Sequence, residues 1–331
     1  MPGTVSFIKQ SFPGKPTFTD ENVPDLTNKV IIVTSSNTGL GKEIARIVYS
    51  KNAKVYMMAR SREKTLKARK DIEAAVPKSG GELIFLPLDL SDLTQVKKSV
   101  IAFLAREHQL HILFNNAGVG YPEKGSKTKQ GYEPQLGVNC ISTFAFTKLL
   151  TPTLVSTAKA SPANSVRVVW VTSSAAEATS PQGFVENLPK VDKMGAFEQY
   201  SISKLSNYFH ATEFAARHRA DGVLSLPLNP GNLDSEFWRT QGSLMTCILQ
   251  KTHLYPPVFG AYTNLFAAFS PQVTLEKSGT LTNSNKPAAP WGQFWNVAPE
   301  MLAGAKTKAE GGTNIAGDFW SWTEAQVRSY L

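Results

Sequence analysis

Cysteine is nearly missing from this sequence: Cys140 and Cys247 are the only two in 331 residues. Two thiols, one of them inside a helical pattern, cannot form a disulfide framework, and a reducing, cytoplasmic setting is expected. Apolar runs long enough to cross a bilayer, about eighteen residues or more, are also lacking. The chain does not open on a charged-then-apolar leader, so neither an integral membrane segment nor a secretory signal is expected. His108, His111, His210, His218 and His253 stand at no metal-ligand spacing with cysteines or carboxylates, and no metal site is expected. Acidic residues are outnumbered, 26 Asp+Glu against 35 Lys+Arg, leaving a net charge of +9. Part of that excess is local, in Arg60, Arg62, Lys64, Lys67, Arg69 and Lys70, which fall as the polar face of a helix. No aromatic residue interleaves with them, so nucleic acid is not an expected partner.

What the chain does contain is a core: 42% of its residues are hydrophobic, ample for one large α/β domain. KVIIVT at 29–34 is a β-branched run of the kind buried on both faces of a parallel sheet. Similar runs follow at 54–59, 82–88, 111–116, 166–172 and 222–231, separated by helical patterns that include long ones near 131–156 and 198–220. Alternation of this kind predicts an α/β fold: a single-domain, doubly wound parallel sheet of about seven strands with helices on both faces. SGTLTN, from residue 278, is the candidate seventh strand, and PPVFGAYTNLFAAFS reads as a helix before it. Residues 1–27, with Pro13, Pro16 and Pro24, read as an extended N-terminal arm. The catalytic domain is expected over 28–282, its cofactor half about 28–160 and its substrate lid about 177–199 and 232–255; 283–331 is a Trp-rich extension packed on the same domain.

Between the first strand and its helix stands SSNTGLG, residues 35–41. Gly39 and Gly41 leave the backbone bare where a pyrophosphate would approach, and a helix N-terminus offers unpaired N–H groups to an anion. Ser35 replaces the glycine that normally opens such a loop. It is accepted if its φ is negative, and at a strain of order 1 kcal/mol or more if it is not; the hydroxyls of Ser36 and Thr38 are candidate phosphate or ribose ligands. At the end of the second strand, where an acidic residue would bind a ribose diol, stands Arg60, whose guanidinium suits a 2′-phosphate and favours NADP(H) over NAD(H). Further on, Tyr200 and Lys204 lie four apart on one helical face, so Lys204 is placed to draw the phenol pKa down from about 10.

Seven ordered motifs spanning about 28–240 resemble the short-chain dehydrogenase/reductase superfamily: TSSNTGLG, LDLSD, NNAG, GVNC, VTSSA, YSISK and NPGNLDS. The 26 residues between Ser173 and Tyr200, the TGLGKE segment and the long C-terminal part look most like its retinol-dehydrogenase-like branch, which includes fungal ketoreductases. The resemblance implies reversible hydride transfer between NADP(H) and a ketone, aldehyde or secondary alcohol. Tyr200 would exchange the proton, Ser173 would hydrogen-bond the substrate oxygen, Lys204 would bind the nicotinamide ribose, and Asn139 would hold a proton-relaying water. Cofactor contacts are then expected at Ser35, Ser36, Asn37, Thr38, Gly39 and Leu40, at Arg60, Asp89 and Leu90, and at Asn116, Ala117 and Gly118. Pro230, Gly231, Leu233 and Ser235 follow, beside Tyr200 and Lys204 themselves. Ser174, Tyr121, Phe184, Phe197, Phe237 and Trp238 are the candidate substrate residues, and their aromatic character suits a bulky, apolar small molecule. Relatives dimerise through the two long helices while extended members are monomeric, so a homodimer and a monomer both remain open. A non-redox isomerase or cyclase of secondary metabolism reusing the cleft is the alternative function.

Overall fold

The computed structural model describes residues 10–234, 254–277 and 288–331. Its centre is an eight-stranded sheet of order β3-β2-β1-β4-β5-β6-β7-β8. The strands are β1 (Val30–Thr34), β2 (Lys54–Ala59), β3 (Glu82–Pro87), β4 (Ile112–Asn115), β5 (Val166–Val171), β6 (Val223–Leu228), β7 (Ala288–Ala289) and β8 (Gln293–Phe294). All pairings are parallel except the last, between β7 and β8. Every residue of β1, β5 and β6 is buried, as strands covered on both faces must be, which is why they read as mostly apolar runs.

Helices α1 (Gly39–Ser50), α2 (Arg62–Ala75), α3 (Leu93–Leu104), α4 (Pro134–Lys159), α5 (Ala196–His218) and α6 (Pro257–Phe269) cover the sheet. Alternate residues of β1 divide the core: Ile31 and Val33 pack with α1 and α6, whereas Val30 and Ile32 pack with the side of α3, α4 and α5. By length and apolarity α4 could cross a membrane, but 72% of its most apolar stretch is buried inside the protein, as expected of a helix in the middle of a doubly wound core. Its first turns widen to a π-helix over Gly137–Ser142, a local expansion often found at functional sites.

Two expectations are corrected, and a third falls outside the described residues. The seventh strand is Ala288–Ala289; SGTLTN lies outside the described residues. The described part of the N-terminal segment, expected as an extended arm, packs on the domain. Phe18, Val23 and Leu26 are buried, Phe18 meets Phe266 edge-on at 5.8 Å, and Thr17 donates from its amide to the Trp291 carbonyl (3.0 Å). The prolines did not prevent burial, and a 3-10 turn forms between Pro16 and Pro24 over Asp20–Asn22. Finally, Phe184 is 3% exposed and packs edge-on against Phe209 (5.4 Å) and Phe319 (5.2 Å), so it belongs to the core and not to a substrate wall.

Phe319 lies on α8 (Ile315–Val327), which with α7 (Pro299–Ala305) packs over α5. Trp320 of α8, 1% exposed, meets Phe144 of α4 edge-on at 4.7 Å, and His210 of α5 stacks on Phe319 at 4.6 Å. Burial holds the His210 imidazole down to about 3, so it is neutral, and its Nε2 hydrogen-bonds the Thr323 hydroxyl at 3.1 Å. The C-terminal segment thereby covers one face of α4 and α5.

Candidate functional site

A cleft of about 980 Å³ runs along the carboxyl edge of the sheet, with walls from the segments that follow β1, β2, β3, β4, β5 and β6. Reversal of strand order between β1 and β4 opens such a crevice, and parallel sheets bind ligands there. That volume lies at the upper end of small-molecule pockets, which run to about 1,000 Å³.

At one end, Ser35, Asn37, Thr38, Gly39 and Leu40 line the cleft. Ser35 has φ +54°, so its backbone takes the strained alternative and leaves its amide donating to the Met58 carbonyl (2.7 Å). Ser36 is fully buried, does not line the cleft, and its hydroxyl meets no partner; the expectation of a Ser36 phosphate contact is corrected. Thr38 caps α1 with extended backbone but no side-chain hydrogen bond, and the first turn of α1 carries no acidic residue. Arg60 is exposed at the end of β2 and lines the cleft with Ser61 and Lys64. Asp89 and Leu90 line it after β3, Asp89 accepting from the amide (2.9 Å) and hydroxyl (2.7 Å) of Ser91.

A residue that motif reading missed joins the two central strands. Thr34 Oγ1 accepts from the amides of Asn116 (2.9 Å) and Ala117 (2.8 Å), while Asn116 Nδ2 donates back to the Thr34 carbonyl (2.8 Å). Asn116, Ala117 and Gly118 are thereby fixed along the cleft floor, which they line. The available signal was one hydroxyl closing a run of aliphatic residues.

At the other end Ser173, Ser174, Tyr121, Phe197, Tyr200 and Lys204 meet. Ser173 follows β5, and its Oγ accepts from the Ala175 amide (3.2 Å) and hydrogen-bonds the Tyr200 phenol. Lys204, 5% exposed, donates from Nζ to the Val171 carbonyl (3.0 Å) and lies 5.6 Å from the centroid of the Tyr200 ring. Pro230, Gly231 and Leu233 close this side; Gly231 has φ +83° and donates its amide to Asn229 Oδ1 (3.1 Å). Ser235, Phe237 and Trp238 lie outside the described residues, as does most of the 232–255 segment expected as lid.

Comparison with known proteins decides what this arrangement belongs to. The family model of the short chain dehydrogenases matches residues 29–185. A short-chain dehydrogenase/reductase of Phomopsis amygdali is 50% identical over 97% of this chain and 96% of its own. This chain belongs to the short-chain dehydrogenase/reductase family. A second such relative, from Neocamarosporium betae, is 43% identical over 98% of this chain and 94% of its own. Among solved structures, one from Mycobacterium paratuberculosis shares the fold with a TM-score of 0.65 at 22% identity, covering 94% of this chain and 97% of that one. The Pseudomonas aeruginosa RhlG/NADP complex does so with a TM-score of 0.61 at 21% identity, over 79% and 96% of the two chains.

Within this short-chain dehydrogenase/reductase, Asn139 and Tyr200 take the following settings. Asn139 is fully buried in the π turn and does not line the cleft. Its Oδ1 accepts from the Val119 amide (2.7 Å), and its Nδ2 donates to the Val119 carbonyl (2.9 Å) and to Ser203 Oγ (3.0 Å). The side-chain amide therefore fastens the loop after β4. Tyr200 departs from the expected lowering. Burial pushes its phenol above the ordinary tyrosine range, and the Ser173 hydrogen bond offsets this only in part; Lys204 does not draw it down toward neutrality. Lys204 itself is lowered to about 8, because burial penalises its ammonium.

Proposed function

We propose that the chain reduces a ketone or aldehyde with NADPH, by hydride transfer in the cleft and proton delivery from Tyr200. The observation that carries this reading is the meeting of Ser173, Tyr200 and Lys204 at one end of a cleft whose other end is a glycine-lined helix N-terminus beside Arg60. The residues present fit the cofactor. A side chain on Gly41 would collide with the Ser35 carbonyl, so the loop is built around a bare backbone at the point where α1 begins. A side chain on Gly118 would lie 3.5 Å from Lys204 Nζ, across the path a nicotinamide ribose would take to that lysine.

NADPH held there by Ser35, Asn37 to Leu40, Arg60, Asp89, Leu90, Asn116 to Gly118 and Pro230 to Leu233 would supply the hydride. The protein supplies the rest. Ser173 Oγ–H donates to the substrate oxygen, and the Tyr200 hydroxyl passes its proton to that oxygen as the C–H bond forms, converting C=O to CH–OH. A phenol whose pKa is raised is protonated at neutral pH, the state that reduction requires of it. The Lys204 ammonium beside the ring then stabilises the phenolate until solvent returns the proton.

The direct test is loss of NADPH absorbance against a panel of aromatic and aliphatic ketones; product formed with no such loss would favour an isomerase or cyclase instead. A pH profile examines Lys204. Its pKa of about 8 leaves it charged below that pH and neutral above it, so kcat/KM for reduction falls as pH rises through about 8. A value unchanged between about pH 6 and about pH 10 would remove Lys204 charge from the mechanism.

Cofactor choice rests on Arg60. Arg60→Asp is expected to weaken NADPH binding by roughly 10- to 100-fold, the worth of a charge-assisted hydrogen bond, and to leave NADH binding no weaker. Equal effects on both cofactors, measured by fluorescence titration, would discount a 2′-phosphate contact. Of the two assembly states, the covered α4–α5 face favours the monomer.

A further inference from the structure

The rings of Tyr121 and Tyr200 lie nearly parallel, with centroids 5.9 Å apart and planes inclined by 25°. At that separation they are offset stacked, so Tyr121 continues the aromatic wall beside Tyr200 along a cleft that both line. Nothing in the proton transfer requires a ring there; the hydroxyl of Tyr200, Ser173 and Lys204 suffice.

The position of Tyr121 is imposed by several contacts. Its φ of +49° lies in the left-handed region, where a bulky non-glycine residue persists only when its surroundings fix it. Its amide donates to Gln135 Oε1 at 3.2 Å. Gln135 is fully buried, and its Nε2 donates to the Ala196 carbonyl (3.1 Å) and to Gln199 Oε1 (3.5 Å), in the opening turns of the helix that carries Tyr200. Two residues before Tyr121, Val119 is held at both amide and carbonyl by Asn139. Phe197, one turn ahead of Tyr200 on α5, adds a second ring to the cleft and is 54% exposed.

We propose that Tyr121, held by Gln135, determines specificity by stacking on a planar aromatic ketone whose carbonyl is presented to Tyr200. The proposal rests on the reductase reading above and adds the class of substrate. A rigid ring loses little conformational freedom on binding and offers its π face to any flat conjugated partner.

Acetophenone and cyclohexyl methyl ketone test it, because they share a carbon skeleton and differ in flatness and π character. Steady-state reduction of each with NADPH is compared in the full chain, Tyr121→Phe and Tyr121→Leu. Tyr121→Phe keeps the preference for acetophenone within about twofold, whereas Tyr121→Leu lowers that preference about tenfold, through KM and with kcat nearly unchanged. Equal losses on both ketones in Tyr121→Leu, or an equal loss of preference in Tyr121→Phe, would overturn it. Equilibrium binding of acetophenone, measured by calorimetry, separates this proposal from the reductase reading. A chain that reduces neither ketone refutes the reductase; stacking then still stands if Tyr121→Leu binds acetophenone about tenfold more weakly than the unaltered chain, and falls if the two Kd values agree.

Discussion

Tyr200→Phe is expected to lower kcat for ketone reduction by about 10²- to 10⁴-fold, the usual worth of a positioned general acid, with NADPH affinity and melting temperature almost unchanged. The substitution removes one hydroxyl and leaves the ring, so the stacking with Tyr121 and the place of Lys204 5.6 Å from the ring centroid are kept. What disappears is the proton and its hydrogen bond to Ser173. If, as proposed, that proton reaches the substrate oxygen only as the C–H bond forms, the loss falls on kcat while KM holds. Lys204→Met would behave differently. It deletes a buried cation together with its hydrogen bond to Val171, and NADPH binding and turnover would weaken together. A Tyr200→Phe enzyme retaining more than about a tenth of its turnover would mean that water or Ser173 delivers the proton.

Much of the fold could be read from the chain because its signals are local. Runs such as VIIVT and VLSLPL are apolar but for one hydroxyl each, since strands covered on both faces need no polar side. The Tyr200–Lys204 spacing was legible for the same reason: one helical turn places both side chains on one face whatever surrounds them. What escaped was set by distant partners. Val171, whose carbonyl holds Lys204, is 33 residues away; Ala196 is 61 residues from Gln135. Neither separation has a period. Ser36 and Thr38 are equivalent as hydroxyls two apart in a loop, yet Ser36 is buried and Thr38 lines the cleft. Phe184 similarly lies in an insertion that should edge the cleft, and only the approach of α8 turns it into core. Ala288–Ala289 has too little sequence to announce a strand; it is one because Leu228 lies beside it.

Gly41→Ala tests the cofactor loop from the opposite direction, since two effects of known sign compete at that position. Alanine within a helix is favoured over glycine by roughly 1 kcal/mol, so at an open site the substitution would stabilise α1. Here the added Cβ would overlap the Ser35 carbonyl oxygen and stand 2.6 Å from Asn116 Nδ2. Neither neighbour can yield cheaply. Ser35 is already at φ +54° with its amide bonded to Met58, and Asn116 is bound at amide and side chain to Thr34. Forced overlap in packed surroundings typically costs about 1–3 kcal/mol, more when backbone must move, so the collision outweighs the helix gain. We expect a net loss of about 1–2 kcal/mol, a melting temperature lower by roughly 2–3 °C, and at least about tenfold weaker NADPH binding as the loop is pushed off α1. Thermal melts and fluorescence titration of the same preparation measure both. Should the variant melt higher than the unaltered chain, the helix term has won, and α1 does not press on the Ser35 turn as closely as the binding loop requires.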